Sequence, residues 1–423
     1  MNVLAFSQTP SSTIVPTIEA LLQARGDDIR AWFEKVRARV NAPFYSSVDV
    51  RHAGFKLAPV DTNIFPAGFN HLSLAARMRA KERMQTRLNA HGISNVLIIP
   101  ENHTRNQGYI DNLYALSTLV EEAGAQVRIG SLIAEKNAPI SLTTSRSTSV
   151  TELPLARDKN TLSTEDGFVP ELILLNNDLT SGLPELLRGL TQRIQPRPTL
   201  GWYRRRKSIH FDAYDKLAQE FAQVFDLDPW LLTTETHKCG LVNFGDRKGL
   251  DCVAVAVEKV LHKIRVHYRH YGITAEPYVF VKSDAGTYGM GIMTAKSGDE
   301  VVEMNKKVRN KMNTIKEGTQ STEVIIQEGV PTIDTVEGFA AEPMMYLVDG
   351  YAVGGAYRVN RERDAQGNLN ATGMYFAGMC DEGELADSAH VNVAKCSFGA
   401  FGLIASLASL AVPSEEYGEH YSI

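Results

Sequence analysis

Cysteine is scarce: four residues in 423, Cys239, Cys252, Cys380 and Cys396, none in CxxC spacing, which argues against a zinc knuckle or a disulfide scaffold. Reduced, structural thiols are the expectation. Excess positive charge is also missing, since 44 Lys and Arg stand against 49 Asp and Glu, and a net charge of -5 offers no general attraction to nucleic acid or an anionic membrane. No apolar run reaches the roughly 20 residues of a spanning helix; the stretch from Phe401 to Val412 reads as a buried terminal helix. The opening MNVLAFSQTPSSTIVPTIEALL has no basic leader and no uninterrupted apolar core, so the expected location is the cytoplasm. There is no internal repeat. What remains is 43% hydrophobic and 22% charged, enough for ordinary cores, over a length that suggests two or three packed units.

Helical periodicity covers residues 14 to 40 and 73 to 90, the second run ending at Gly92, a residue suited to the left-handed C-terminal position. The short apolar strand Asn95 to Pro100, an amphipathic helix from Tyr109 to Ala123 and the strand Gln126 to Ile129 make a βαβ unit. Residues 141 to 168 are rich in Ser, Thr and charge and read as a surface connection or hairpin excursion. A buried strand follows at 171 to 175, then helical patterns at 182 to 193 and 211 to 225. The simplest packing is an open α/β domain over residues 1 to 200. In residues 201 to 423 a helix from 251 to about 271 gives way to strands at 278 to 283, 290 to 295, 323 to 328, 339 to 348, 351 to 360 and 370 to 379. Helices at about 298 to 315 and 389 to 411 interrupt them, which predicts a second, α+β domain with an antiparallel sheet.

The segment from Tyr278 to Ile292, YVFVKSDAGTYGMGI, delivers Lys282 on a strand, turns through glycines and returns into a strand. Gly286, Gly289 and Gly291 permit left-handed torsions and close backbone approach, so successive N–H groups can surround phosphate oxygens. A Walker A loop is absent, because there the lysine follows the glycines and opens a helix. The dinucleotide fingerprint is absent too, since the spacing is GxxGxG and leads to a strand. A plain hairpin with an edge lysine is the alternative. Downstream, Val324 to Val330 reads as a strand emerging into a hinge at Gln327 and Glu328. Asp349-Gly350 then signals a hairpin between two strands, the second bearing Arg358.

This order of lysine strand, glycine loop, Gln-Glu hinge, Asp-Gly hairpin and arginine strand, over about residues 278 to 375, resembles the ATP-grasp superfamily. The whole chain, including Asp61-Thr62-Asn63-Ile64-Phe65-Pro66-Ala67-Gly68-Phe69-Asn70, is similar to the bacterial glutamate-cysteine ligase family built on that fold. The resemblance implies an open α/β substrate-binding domain over 1–200 and an ATP-grasp-like catalytic domain over 201–423. It implies ATP with Mg2+, for which Mn2+ can substitute, and ligation of L-glutamate to L-cysteine through an acyl phosphate. By position, Lys282 would hold phosphates and the backbone of Ala285, Gly286, Thr287, Tyr288, Gly289 and Gly291 would cover them. Gln327 and Glu328 would flank adenine, and Arg358 would stabilise charge on the transferring phosphoryl group. Another ATP-grasp ligase with a different acceptor, or a nucleotide-binding regulator without turnover, are the rival readings.

The family pattern places an Asp and then Glu-x-Asn on late strands for magnesium, and no Glu-x-Asn follows residue 362. Asn360-Arg361-Glu362 is its reverse, with Asn360 and Glu362 on the strand face of Arg358, and Glu342, Asn368 or Asn370 can complete such a site; the same residues also read as a solvated strand end. In the first domain, Asn102, Arg105 and Asn106 follow a strand directly, where open α/β sheets bind ligands, although a helix cap explains them almost as well. The run Trp202 to Lys207, WYRRRK, reads as a solvated connection or local anion site rather than a nucleic-acid patch, and His237-Lys238-Cys239 as structural. The expected partners are small molecules, with no nucleic acid and no membrane; a homo-oligomer is left open.

Overall fold

The computed structural model describes residues 14–102, 106–132, 138–286, 291–313, 323–379 and 398–415. The βαβ unit forms as expected, with helix Gln107–Glu122 joining the parallel strands Asn95–Pro100 and Gln126–Ser131. Val96 to Ile99 and Leu172 to Leu175 are buried, which is why they are apolar at every position: helices and loops cover both faces of a parallel sheet. The Ser/Thr-rich stretch is a hairpin excursion whose long strand Ser149–Asp158 joins this sheet beside Gln126–Ser131. The helical pattern at 182 to 193 is corrected. Gly182 and Gly189 take φ of 111° and 64°, leaving room only for the single turn Glu185–Leu187, and Arg193–Gln195 becomes a strand.

The second half contains antiparallel sheets. A four-stranded one has the order Thr236–Gly240, Glu323–Glu328, Val279–Ser283, Ile292–Ala295 and packs on helix Leu250–His270. The helix expected at 298 to 315 is two short pieces, Asp299–Val302 and Lys306–Asn313. A six-stranded sheet runs Met374–Gly378, Tyr351–Asn360, Phe339–Val348, Tyr45–His52, Leu57–Asn63, with Thr335–Val336 added to Phe339–Val348. Asp349 and Gly350 both have positive φ, 54° and 72°, the backbone of a type I′ hairpin. The two strands from residues 45 to 63 were not anticipated in this sheet, and they bring the beginning of the chain against strands about 300 residues later.

Alternation assigns the faces of the six-stranded sheet. Val48, Val50, Ala341, Met345, Leu347, Tyr357 and Val359 point into a core with helices Ile14–Arg39, Lys207–Val224 and Phe398–Ala411. On the opposite face Tyr346, Val348 and Val353 pack on the α/β domain, while Asp49, Arg51, Glu342 and Arg358 line a cleft. Among the described residues no helix is long and apolar enough to cross a membrane.

Candidate active site

The cleft lies between the charged end of the six-stranded sheet and the strand Val279–Ser283 and opens to solvent. Four cations, Arg51, Lys207, Lys282 and Arg358, and three carboxylates, Asp49, Asp61 and Glu342, line it with Ser283, Gly286, Asn368 and Asn370. Lys282, 8% exposed, donates to Gln327 Oε1 at 2.6 Å and to the Val60 carbonyl at 3.1 Å, so it spans from one sheet to the other. Burial, reinforced by Lys207 and Arg51 and opposed by Asp61 and Glu342, brings its ammonium down to about 8.

Arg358 donates to Asp49 at 2.5 and 3.2 Å and to Glu342 at 2.7 Å. Burial alone would lower its pKa, but the two carboxylates raise it, so it stays charged. The other oxygen of Glu342 accepts from Arg51, which also donates to the carbonyls of Ala365 at 3.1 Å and Gly367 at 2.8 Å. Asp61 accepts from Lys207 at 2.5 Å. Burial would raise its carboxyl, but Lys207 and Lys282 outweigh that and hold it at about 2.

At the glycine loop, Gly286 and Gly291 have φ of 103° and 59°, the left-handed torsions the sequence anticipated. The Asp284 carboxylate accepts from the Ser208 N–H and Oγ, both at 2.7 Å, fixing the loop's start to the N-terminus of helix Lys207–Val224. Thr287, Tyr288 and Gly289 lie outside the described residues, as does Arg105.

Of the sequence candidates, Lys282, Gly286, Glu342, Arg358, Asn368 and Asn370 come together in this cleft. Gln327 and Glu328 are buried: Gln327 bridges Lys282 to the Thr234 hydroxyl at 3.0 Å, and Glu328 accepts from Lys56 at 2.7 Å. Asn360 lies outside the lining, its amide nitrogen donating to the carbonyls of Leu369, Ala371 and Thr372, and Glu362 is exposed. Asn106 accepts from the Tyr109 N–H at 3.2 Å as the N-cap of its helix, and Asn102 is exposed. The run from Trp202 divides: Arg205 pairs with Glu415 and Arg206 with Glu323, while Lys207 reaches the cleft.

Sequence reading missed Asp49, Arg51 and Asp61. Asp49 and Asp61 are direct partners across adjacent antiparallel strands, where like charges repel and a divalent cation would relieve them. Magnesium takes one or two protein carboxylates and completes its shell with water and phosphate oxygens, which these donors suit. Among the described residues no group of three His, Cys, Asp or Glu converges as a metal cage.

Two antiparallel sheets close on a cleft, with Lys282 and Gly286 on one side and Arg358 among carboxylates on the other, the setting of an enzyme that ligates a carboxylate to an amine. The glutamate-cysteine ligase family model matches residues 19–416, and the chain belongs to that family, enzymes that join the carboxylate of glutamate to the amine of cysteine. Membership implies ATP and a divalent metal.

A candidate gamma-glutamylcysteine synthetase from Methylobacillus flagellatus KT superimposes with a TM-score of 0.86 at 42% identity, covering 98% of this chain and 100% of that one. D-alanyl-alanine synthetase A from Vibrio cholerae gives 0.30 at 11% identity, over 63% of this chain and 67% of that one. A glutathione synthetase-like effector from Globodera pallida gives 0.38 at 10%, over 86% and 85%. No curated protein matches.

If Lys282 binds phosphate, its low pKa makes ATP affinity sensitive to pH. Free enzyme loses the charge as pH rises through about 8, whereas a phosphate-bound lysine keeps it. The dissociation constant for ATP should therefore be about tenfold weaker at pH 9 than at pH 7, and Lys282→Arg should flatten the profile because guanidinium stays charged. Calorimetric titration across that range checks this; a flat profile in the unaltered enzyme would remove Lys282 from the phosphates.

Proposed function

We propose that this cleft is where ATP phosphorylates the γ-carboxylate of glutamate and where the cysteine amine then attacks. The observation that carries the reading is the convergence of four cations and three carboxylates in one cleft beside Gly286. A carboxylate oxygen of glutamate attacks the γ-phosphorus and ADP leaves. The amine of cysteine adds to the acyl phosphate carbon, phosphate departs with its bonding electrons, and the nitrogen loses a proton to leave the amide. No enzyme nucleophile is needed.

In this reading residues 201–423 supply the nucleotide side. Lys282 holds phosphates, the backbone from Ala285 to Gly291 covers them, and the strand end at Gln327 and Glu328 lies toward adenine. Residues 1–200 supply acidic groups and the amino-acid side, including the Asn102 and Asn106 end of the parallel sheet. Asp49 and Asp61, with Glu342 adjacent, would hold magnesium, or manganese in its place, whose charge offsets that of the phosphates. Arg358 faces the charge that develops on the transferring group.

The test is ADP release measured with each component omitted in turn. It should require the divalent metal, glutamate and cysteine together. Equal release without amino acids would overturn the ligase reading, and activity that needs a different amine would overturn the acceptor.

A further inference from the structure

Cys239 and Cys252 approach each other with their Sγ atoms 3.5 Å apart. Cys239 sits on the edge strand Thr236–Gly240, buried in the core that this sheet shares with helix Leu250–His270. Cys252 is exposed in the first turn of that helix. The segment between them folds back through the Asn243–Lys248 bridge and left-handed torsions at Leu241, Arg247 and Gly249, so folding, rather than sequence spacing, brings the thiols together. A disulfide bond is about 2.05 Å long, so movement of about 1.5 Å closes the pair, and the exposed Cys252 side chain has room to make it. Neither thiol lines the cleft.

We propose that Cys239 and Cys252 form a reversible redox couple, closed into an intramolecular disulfide by a low-molecular-weight disulfide such as the oxidised dimer of the cysteine acceptor. Cys252, being accessible, attacks first as its thiolate. One small thiol leaves with the electrons of the broken S–S bond, and a mixed disulfide remains. Cys239 then loses its proton and attacks Cys252 Sγ, expelling the second small thiol. The two protein thiols give up two electrons and two protons, and the small disulfide takes up both. Burial and the neighbouring Cys252 thiol push the Cys239 thiol up; the effect of burial persists in the mixed disulfide, so the second step is the slower one and quickens as pH rises. The closed bond fastens the edge strand to the helix beneath it. The next strand carries Gln327, the partner of Lys282.

The test is to incubate the reduced full-length protein with cystine, block free thiols and map peptides without reduction. The expected product joins Cys239 to Cys252, releases two cysteines per chain and reverts with dithiothreitol. Cys239→Ser should stop at a cysteinyl adduct on Cys252, and Cys252→Ser should leave Cys239 unmodified. In the unaltered chain, a cysteinyl adduct persisting on Cys252, linkage of either residue to Cys380 or Cys396, or no consumption of cystine would each overturn the proposal. The mapping needs no turnover, so its failure is separate from failure of the ligase reading.

Discussion

Replacing Arg358 by alanine is expected to lower turnover by about a hundred- to a thousandfold while ATP affinity changes by less than about threefold. Asp49 and Glu342 hold the guanidinium over the cleft, so its position is set before substrate arrives. A group prepared in this way acts on charge that exists mainly in the transition state, and its loss falls on kcat. Arg358→Lys should recover little, because an ammonium cannot reproduce the planar fork that meets both carboxylates. Folding is checked by circular dichroism, since Asp49 and Glu342 lose a partner in these variants. A folded Arg358→Ala enzyme with kcat within about threefold of the parent would show that Arg358 only shapes the cleft.

Lys56→Ala should be the most damaging change to stability outside the apolar cores, about 3 to 5 kcal/mol. Lys56 is fully buried, 2.7 Å from Glu328 and 3.9 Å from the Trp230 ring centre. Glu328 also accepts from the Glu235 N–H, yet its Oε1 has no partner. Removing the ammonium leaves that carboxylate buried without its counter-charge. Because Lys56 lies between the strands Tyr45–His52 and Leu57–Asn63 while Glu328 ends Glu323–Glu328, the pair ties the two antiparallel sheets together. Urea unfolding followed by Trp fluorescence measures the loss. Lys56→Met with Glu328→Gln should restore most of it, since no isolated charge remains; a Lys56→Ala penalty below about 1 kcal/mol would mean the pair contributes little.

Much of the architecture was legible from local pattern. The apolar runs at 96 to 100 and 172 to 175, the helix between residues 109 and 123 and the Asp349-Gly350 turn each carry a signal contained within a few residues, and each stands close to its expected place. Lys282 and Arg358 were readable because a glycine loop and a hairpin flank them. Asp49, Arg51 and Asp61 became site residues only through pairing with distant strands. Their signal existed: Val48-Asp49-Val50-Arg51 alternates with period two, and Pro59 marks an edge strand, which Leu57–Asn63 is. Nothing local could say which sheet those strands would join. Among the described residues after 362 only the amides Asn368 and Asn370 reach the cleft, because the sheet takes its acidic strands Tyr45–His52 and Leu57–Asn63 from the other end of the chain.

That pairing also places a clock on assembly. Tyr45 meets Val348 and Asp49 meets Met344, so at a synthesis rate of about 5 to 20 residues per second the first of these strands waits roughly 15 to 60 s on the ribosome for its partner. Through that interval the hairpin of residues 45 to 63 must avoid pairing with neighbouring nascent chains. Asp49, Arg51, Pro59 and Asp61 are the kinds of residue that blunt an open strand edge, so the charges that line the cleft in the folded protein also suit the strands to their wait.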